Sequence, residues 1–587
     1  MPDWFYRTLA QPALFLLPDK VARALALGLM GGLGECRPGR ALIDFMGHMH
    51  ADPRLRVKVG GVDFPSPVGL GWRVDPEARA TRALQRFGVG FIEQYEPGVR
   101  SVRRGEGRQL CDGPLVPGAR PALGFQGNGP RLLRRELDGG VEALVLPTGV
   151  ALPVVPWDTA VVNLAGFAHG VVLQVGERLS AGGWRVPTQM PSGLPAAVRN
   201  WRDRSGVEAV LIVAGGVAGP ADAVALIEAG ASLVLIDAGL VFSGPGLVKR
   251  CNAALLGRLP MSQVAIAGEP APLSVVRTAW FWALALGLAL AAGGGLALGL
   301  AFTRVLLPYD EQFLGLTADV LRRNSPQLHA FMAHDRGTLA GTMLGLGWLY
   351  AVLAWRGIRF AVDGAQAAVA SSALTGFLSF FSFLGFGYFD TLHAFVAAVL
   401  FQLTVQILVG APAVGVTLPA GADDEDGSWR RAQWGQLSWV IHAVGLIGAG
   451  VVILAIGMTQ VFVTEDLAFL CMDAAQAQAL GEKMVSVVAH DRATLGGMLL
   501  AAGTGMLLPV LWCWQRGASW LWWAVAGLGL PAYGATLGMH VWVGYTDPRH
   551  ILPALAGLAL WLAGLWLSGG YLRDRGPASV ARGWPAN

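Results

Sequence analysis

Long apolar runs dominate the chain after residue 277, and they constrain the fold more than any other feature of the sequence. Each run is long enough for an α-helix to cross the hydrocarbon core of a bilayer, which is about 30 Å thick. Only segments that satisfy their own backbone hydrogen bonds can cross that core, so helices are expected. The sequence therefore predicts an integral membrane protein with eight transmembrane helices, near residues 278–302, 338–355, 365–386, 391–417, 436–462, 494–514, 518–542 and 551–571.

The basic residues beside these runs predict their orientation. Loops on the cytoplasmic side of a membrane carry an excess of lysine and arginine. All the basic clusters fall on one side of the predicted bundle, which places the N-terminal part and the C-terminus in the cytoplasm and the helices in the cell inner membrane. These residues are Lys249, Arg250, Arg258 and Arg277 before the first run, Arg356 and Arg359 after the second, Arg430 and Arg431 before the fifth, and Arg573, Arg575 and Arg582 after the eighth.

The membrane part contains an internal repeat. The motif AHDRGTLAGTML at 333–344 recurs as AHDRATLGGMLL at 489–500, an offset of 156 residues, and GYFDTLH at 387–393 recurs as GYTDPRH at 544–550, an offset of 157 residues. A parallel duplication of four helices explains both offsets, because four crossings return the chain to the same side. We therefore predict membrane repeat 1 at 278–420, a cytoplasmic linker at 421–435, membrane repeat 2 at 436–573 and a cytoplasmic tail at 574–587.

Charged and histidine side chains recur at the ends of the predicted helices, on the face opposite the basic loops. They could bind a quinone head group, a metal ion or a proton, or they could act as helix caps at little energetic cost. We favour caps, with Asp335 and Asp491 near helix starts and arginines paired to them. No metal site is predicted, because no short His-x-x-x-His or Glu-x-x-His spacing is present. The residues are Asp310, His334, Asp335, Arg336, Asp390 and His393 in repeat 1, and Asp466, His490, Asp491, Arg492, Asp547 and His550 in repeat 2.

Charge pairing is expected within each half of the bundle, because an unpaired charge at a helix end would draw water between the helices. Small residues such as Gly295 and Gly299 are expected to let neighbouring helices approach closely. The predicted pairs are His334 or Arg336 with Asp390, and His490 or Arg492 with Asp547.

The front half of the chain contains two predicted strands that each end in a turn of small residues. A strand, a helix and a second strand form a parallel unit whose two strand ends lie side by side. Small residues at those ends let backbone N–H groups approach an anion, as in the phosphate sites of parallel barrels. The unit consists of a strand at 209–214 followed by Gly215 and Gly216, a helix at 221–229, and a strand at 232–236 followed by Asp237, Ala238 and Gly239.

This segment, 206–250, resembles the closing segment of the flavin-dependent dihydroorotate dehydrogenases. The resemblance implies an FMN-type (β/α)8 barrel at 51–257 and FMN as the cofactor. Residues 57–98 resemble the opening of the same barrel. The residues that the resemblance assigns to the cofactor site are Gly71, Gly215, Gly216, Ala238 and Gly239.

Two further stretches carry the resemblance. The sequence PALGFQGNG at 121–129 resembles the substrate loop of the family, which implies substrate-binding roles for Gln126 and Asn128. The sequence FLLPDKVARALALGL at 15–29 resembles the N-terminal extension of the membrane-associated, quinone-using class. Residues 1–50 are therefore expected to form amphipathic helices, which would either line a quinone tunnel at the membrane surface or cap the barrel. A linker follows the barrel at 258–277.

The chain departs from the family pattern at positions that matter for chemistry. Pro76 follows Asp75 where the family has a lysine, and Gln126 with Gly127 stands where it has paired asparagines. No counterpart of the catalytic serine loop occurs between 129 and 206. His169 could serve as a substitute base, although a single histidine there is more readily structural. Because a positioned base contributes roughly two to four orders of magnitude in rate, efficient dihydroorotate oxidation is not expected.

The length of the barrel region predicts a further departure. Residues 57–257 lie at the lower end of what eight β/α units need, so one or two units are expected to be reduced.

The start of the chain is interrupted by charged residues too often for a cleavable signal, and the 5 cysteines share no short spacing. The basic residues are scattered or lie beside predicted helices, which argues against nucleic-acid binding.

Three functions remain open at this stage. The resemblance implies a membrane-bound oxidoreductase that uses FMN, takes a small-molecule ligand in the barrel and contacts lipid and a membrane quinone. The missing serine loop and lysine favour a catalytically inactive barrel that binds or senses a ligand. The duplicated bundle is compatible with a transporter or receptor. The sequence does not determine the oligomeric state.

Overall fold

The computed structural model describes residues 2–95, 130–137, 141–158, 169–175, 189–258, 274–383, 388–389, 391–411 and 425–574. The chain divides into two compact units. The first comprises Met1–Val264 and Pro419–Asp426, and the second comprises Ala265–Leu418 and Gly427–Asn587. The described strands belong to the first unit, and the long apolar helices belong to the second.

The first unit opens with helices that precede the barrel. Pro18 lies at the N-cap of the longest of them, and the next helix begins after Cys36 and has a proline in its first turn. Apolar side chains such as Leu16, Leu29 and Leu42 are exposed here, as expected for amphipathic helices. The elements are α1 (Asp3–Phe5), α2 (Gln11–Phe15), α3 (Asp19–Glu35), α4 (Arg37–Gly47) and an antiparallel hairpin of β1 (Val57–Val59) and β2 (Val62–Phe64).

Eight strands then close into a barrel, which confirms the predicted barrel architecture. The strands pair in the order β10-β3-β4-β5-β6-β7-β8-β9. The elements are β3 (Val68–Leu70), α5 (Thr81–Leu84), β4 (Phe91–Tyr95), β5 (Arg131–Leu137), β6 (Val141–Val145), β7 (Ala151–Pro156), β8 (Gly170–Gln174), α6 (Leu194–Ser205), β9 (Val210–Ala214), α7 (Pro220–Glu228), β10 (Leu233–Ile236), α8 (Gly239–Ser243) and α9 (Leu247–Leu256).

The middle of the barrel departs from the β/α pattern. Strand β6 runs antiparallel to both of its neighbours, β5 and β7. A tight turn joins β6 to β7, in which Leu146 N–H donates to Val150 O and Gly149 has a φ of +86°. The described residues between 130 and 175 form strands and turns but no helix. The length of 57–257 predicted that one or two β/α units are reduced, and this antiparallel part of the barrel is where the β/α pattern is lost.

Alternating side chains of the strands fill the barrel interior. Phe91, Leu132, Leu152, Ile212 and Leu235 are all fully buried members of this inner cluster. The opposite faces of β3, β9 and β10 pack against the helices, because successive strand side chains point to opposite faces of a sheet. Because the barrel interior is packed with side chains, residues that bind ligands or react are expected in the loops at the strand ends.

The second unit is helical. Two pairs of short helices, at 308–324 and 464–478, lie between its long helices. The elements are α10 (Ala279–Thr303), α11 (Pro308–Leu314), α12 (Ala318–Asn324), α13 (Pro326–Val352), α14 (Ala365–Phe383), α15 (Thr391–Val409), α16 (Gly427–Met458), α17 (Thr464–Leu470), α18 (Ala474–Gln478), α19 (Glu482–Trp512), α20 (Ser519–Val543) and α21 (Pro548–Leu572).

Six helices of the described chain are long and apolar enough to cross a membrane. Helices α14 and α20 occupy the positions of the third and seventh predicted spans, so a helix is present at all eight predicted positions. These helices support the membrane character that the apolar runs predicted. The six are Ala279–Thr303, Pro326–Phe360, Thr391–Val409, Gly427–Met458, Glu482–Trp512 and Pro548–Leu572.

Glycines allow the long helices to approach one another, though not the glycines that the sequence suggested. A Cβ atom on Gly287 of α10 would lie 2.8 Å from Gly347 O of α13, and one on Gly450 of α16 would lie 2.7 Å from Gly496 O of α19. The positions of Gly295 and Gly299 face open space, so the expectation for these two is wrong. Close crossings of α10 with α13 and of α16 with α19 therefore rest on small residues in matching helices.

The pattern of neighbours in the first four long helices recurs in the last four. Helix α10 contacts α13 and α15, and α16 likewise contacts α19 and α21. Helix α13 contacts α20, and α14 contacts α19. Helices α13 and α19 also contact each other, so the two AHDR motifs lie on adjacent helices.

Candidate functional site

The two turns predicted to bind phosphate lie next to each other at the mouth of the barrel. Strand β9 ends before Gly215 and Gly216, whose φ values are +89° and +79°. Strand β10 pairs with β9 in parallel and is followed by Asp237 and α8. A Cβ atom on Gly239 would lie 1.9 Å from Val217 O. Only glycine fits at this approach between the two loops.

Gly71 belongs to the same mouth, as the resemblance implied. It follows β3, which pairs with β10, and its N–H donates to Ile236 O at 2.9 Å. The Gly215 N–H similarly donates to Leu235 O at 2.9 Å. These two N–H groups continue the strand ladders. The phosphate site expected at Gly215, Gly216, Ala238 and Gly239 stays a prediction.

Carboxylates of the protein also lie at this mouth. A Cβ atom on Gly71 would lie 1.9 Å from Asp237 Oδ1, and one on Gly215 would lie 3.6 Å from Asp237 Oδ2. Asp237 is 2% exposed. Asp222 Oδ2 accepts the N–H groups of Ala218 and Gly219, both at 2.9 Å, and so caps α7. The Asp237 carboxylate therefore lies at the mouth, where its negative charge would oppose an anion.

A buried ion pair lies inside the barrel beneath the mouth. Glu93 and Arg134 project from inward-facing positions of β4 and β5, and both are at most 2% exposed. Arg134 Nε lies 2.8 Å from Glu93 Oε1, and its Nη2 donates to Gln174 Oε1 at 2.8 Å. Burial raises the pKa of Glu93, and the neighbouring Arg134 counteracts the shift. Sequence reasoning did not single out these residues, although charges at inward positions of apolar strands could have revealed them.

Of the residues considered for chemistry, the structure describes His169 and Asp75 but not the two of the predicted substrate loop. Gln126 and Asn128 lie outside the described residues. His169 immediately precedes β8, and its carbonyl accepts Val210 N–H at 3.1 Å, so it lies at the end of the barrel opposite the glycine turns. Asp75 accepts the N–H groups of Arg79 and Ala80 at 2.9 and 2.8 Å. It therefore stabilises its own turn.

The bundle contains two buried clusters of the predicted polar residues. Each cluster is built around one arginine that lies between two carboxylates. Arg336 Nη1 is 2.9 Å from Asp310 Oδ2, and its Nε is 2.8 Å from Asp491 Oδ2. In the matching arrangement, Arg492 Nη1 is 2.8 Å from Asp466 Oδ2, and its Nε is 3.4 Å from Asp335 Oδ2.

These contacts correct the pairing expected from sequence. Each arginine reaches the aspartate of the other AHDR motif, because α13 and α19 are adjacent. Asp547 accepts the N–H groups of Arg549 and His550 and caps α21. The predicted partner Asp390 lies outside the described residues.

The proposed capping role of Asp335 and Asp491 is also wrong. Helices α13 and α19 begin at Pro326 and Glu482, so both aspartates lie in the third turn, beyond the reach of the helix N-terminus. Their side chains are at most 7% exposed and instead bind arginine and histidine. Tyr545 donates to Asp466 Oδ1 at 2.8 Å.

Histidines extend both clusters. In one, His490 Nε2 is 2.9 Å from His393 Nδ1. In the other, His334 meets His540 and His550, and ligand nitrogens of the three lie within 4.8 Å of one another. His540 was not predicted as a site residue, because it has no histidine counterpart in the other half. The sequence position that matches it at an offset of 157 residues is Phe383.

Comparison with known proteins finds relatives that match part of the chain. No protein-family model matches the chain. A protein of Acidithiobacillus ferrooxidans is 31% identical over 144 residues, and one of Thermus thermophilus is 34% identical over 146 residues. The relatives are quinone-type dihydroorotate dehydrogenases. This finding confirms the resemblance recognised in the sequence.

The extent of the similarity is limited. The chain spans about two fifths of the length of these two dehydrogenases, 39% and 40%, and the aligned part is 24% of this chain in each case. A third dihydroorotate dehydrogenase (quinone), from Sphingopyxis alaskensis, is 27% identical over 333 residues, which cover 42% of this chain and 91% of the relative. More than half of this chain therefore lies outside each of these alignments.

Proposed function

We propose that this protein is a membrane-bound flavoprotein of the dihydroorotate dehydrogenase type. The observation that carries the proposal is the glycine-lined mouth at the ends of β3, β9 and β10, where Gly71 and Gly239 each leave no room for a side chain. Similarity of part of the chain to dihydroorotate dehydrogenases (quinone) supports the same proposal. FMN is the proposed cofactor, and a small molecule is the proposed barrel ligand.

The backbone of Gly216, Ala238 and Gly239 would hold the FMN phosphate, because small residues and a short helix start favour an anion there. Bound FMN would supply reversible hydride and electron acceptance. Glu93, Arg134 and Gln174 lie in the barrel interior below the mouth, where Arg134 forms an ion pair with Glu93 and donates to Gln174.

The first test of the proposal is flavin binding by the full-length protein. Purified protein is expected to carry FMN and to show the absorption spectrum of an oxidised flavin, or to gain thermal stability when FMN is added. Absence of both effects would overturn the cofactor assignment. Asp237→Asn is expected to tighten FMN binding on the order of tenfold, because a like charge near the phosphate costs about 1.4 kcal/mol. Asp203→Asn, which changes an exposed aspartate of α6, is the matched control and should bind as the parent does.

The second test concerns the reaction of the relatives. Oxidation of dihydroorotate has to remove a proton together with a hydride, and a positioned base contributes about two to four orders of magnitude in rate. The histidine considered as a base, His169, lies at the opposite end of the barrel, and the serine loop of the family has no counterpart in the sequence. We expect quinone-linked dihydroorotate oxidation to be absent or very slow. Growth of a pyrimidine-requiring strain on this protein alone would contradict that expectation.

A second candidate function is ligand binding without catalysis. The antiparallel β5-β6-β7 meander favours it, because it replaces β/α units whose loops ordinarily build the active face of a parallel barrel. A barrel that binds FMN tightly but remains oxidised with every tested donor would support this candidate. Reduction of its flavin by dihydroorotate would support the enzyme.

The membrane arrangement proposed here has eight spans in two parallel four-helix repeats, placed in the cell inner membrane with the barrel and C-terminus in the cytoplasm. The recurrence of helix neighbours and of the arginine clusters supports the duplication. The exposed apolar side chains of α3 and α4 support contact with lipid and access of a membrane quinone. The bundle itself is compatible with a transporter or receptor role on the basis of this duplication.

A further inference from the structure

Three histidines that are distant in sequence converge in one cluster of the bundle. His334 lies on α13, His540 on α20 and His550 in the first turn of α21. Their ligand nitrogens all lie within 4.8 Å of one another. His334 and His540 are 4% and 3% exposed, and His550 is half-buried. Imidazole is a common ligand of zinc and other divalent transition metals.

The hydrogen bonds of two of these rings fix which nitrogens carry a proton. His334 Nδ1 is 3.0 Å from Asp335 Oδ1, and His540 Nδ1 is 2.7 Å from Thr536 O. A carboxylate and a carbonyl only accept, so both Nδ1 atoms carry the proton and both Nε2 atoms present lone pairs. These two Nε2 atoms are 3.2 Å apart. His334 Nε2 also lies 3.3 Å from His540 Nδ1, and the two rings are perpendicular to each other.

The charges of the surrounding residues independently call for a cation. Four aspartates, Asp310, Asp335, Asp466 and Asp491, share two arginines, Arg336 and Arg492. All six side chains are at most 12% exposed. Fully ionised, this set has two more negative than positive charges, and buried charge of one sign is unfavourable without a partner.

We propose that His334, His540 and His550 bind a divalent metal ion of the zinc type. Two imidazole nitrogens on one tetrahedral ion, each at about 2.0–2.1 Å, lie about 3.3 Å apart, close to the spacing of His334 Nε2 and His540 Nε2. Asp335 Oδ1 and Thr536 O accept hydrogen bonds from the Nδ1 atoms of the same rings. Metal-bound histidines in other proteins have a hydrogen-bond partner of this kind on the nitrogen that does not bind the metal. The fourth position is left for water or a small anion.

The second histidine cluster of the bundle, His393 with His490, provides an internal control. His490 and His393 occupy the positions that match His334 and His550 at offsets of 156 and 157 residues, but Phe383 occupies the position that matches His540. His393 Nδ1 is 2.9 Å from His490 Nε2, a spacing at which one ring donates to the other without a bound ion. The two clusters therefore differ in the number of imidazoles, and the metal belongs to the cluster that contains His540.

The experiment is metal analysis of the full-length protein, purified in detergent through a tag without histidines. Elemental analysis is expected to give about one zinc per chain. His540→Phe, which copies the residue of the matching position, and His550→Ala should each lower the content at least tenfold. His393→Ala, the equivalent change in the other half, should leave the content unchanged. A zinc content in the parent that is no higher than in His540→Phe would overturn the proposal, as would equal losses in His393→Ala and His550→Ala.

A measurement on the unmodified protein covers the case in which a variant fails to fold. After chelation and dialysis, added Co²⁺ should produce the visible ligand-field absorption of a tetrahedral ion with imidazole ligands, and Zn²⁺ should abolish it. Zn²⁺ should also raise the melting temperature of the chelated protein. If neither metal changes the spectrum or the melting temperature, a shared proton between His334 and His540 is the cation and the metal assignment is wrong. The result does not depend on whether the barrel binds FMN.

Discussion

Replacing Arg336 with methionine is expected to destabilise the membrane unit by about 3–5 kcal/mol, because the change leaves two buried carboxylates without their cation. The carboxylates are those of Asp310 and Asp491, which are 2% and 7% exposed. Burial of a charge in a low-dielectric interior is tolerated only when a partner is close. Thermal unfolding of the detergent-solubilised protein is expected to show a large fall in the melting temperature.

The control for Arg336→Met is a second arginine of the same unit. Arg304 lies 3.7 Å from Glu311, but its side chain is 59% exposed, so its ion pair is worth at most about 1 kcal/mol. Arg304→Met should therefore melt nearly as the parent does. The double variant Arg336→Met/Asp491→Asn should recover part of the loss, because one of the two unpaired charges is gone. Equal melting of Arg336→Met and the parent would show that the cluster is not structural.

Arg134→Met is expected to destabilise the barrel unit by a similar amount, about 3–5 kcal/mol, since it leaves Glu93 buried without its cation. The two side chains are each 1% exposed. The matched control is Arg82→Met, because Arg82 pairs with Glu35 at the surface, where both side chains are more than half exposed. Thermal unfolding of both variants should give a shift on the order of 10 °C for the first and little change for the second.

The loss in Arg134→Met should depend on pH in a defined direction. Burial already raises the pKa of Glu93, and removal of Arg134 removes the main opposing influence. A carboxyl group whose pKa is raised in the folded state favours folding in its protonated form, so the penalty is smallest in acid and grows as the pH rises above the ordinary carboxyl range. The double variant Arg134→Met/Glu93→Gln should lose this dependence. A penalty that is the same at acidic and neutral pH would mean that Glu93 charge is not its cause.

Much of the fold follows from local patterns in the sequence. The long apolar runs predicted helices at the right places, since a period of 3.6 residues and the absence of charge are properties of each segment alone. The glycine turns after 214 and 237 were located correctly, because close approach at Gly239 and the positive φ at Gly215 are conditions that few residues other than glycine meet. The resemblance to the dehydrogenases was confirmed by relatives that match part of the chain.

The partners of the charged residues could not be predicted in the same way. The sequence analysis looked for partners of Arg336 within its own half, whereas the structure pairs it with Asp491 of the other AHDR motif as well as with Asp310. The antiparallel β5-β6-β7 arrangement and the buried Glu93–Arg134 pair were also not foreseen. Each depends on which elements become neighbours, and no local pattern encodes that.

The sequence by itself determined a barrel with a pair of glycine turns, a part with helices apolar enough to cross a membrane and a duplicated set of polar motifs, because periodicity, glycine placement and repetition are readable one segment at a time. Only the tertiary structure decided how the polar residues combine. It brought the second half's unmatched His540 to within 3.2 Å of His334, 206 positions away, and it placed Asp237 against Gly71. The physical reason is that a site requires side chains from several elements at bonding distance, and those distances are set by helix and strand packing rather than by spacing along the chain.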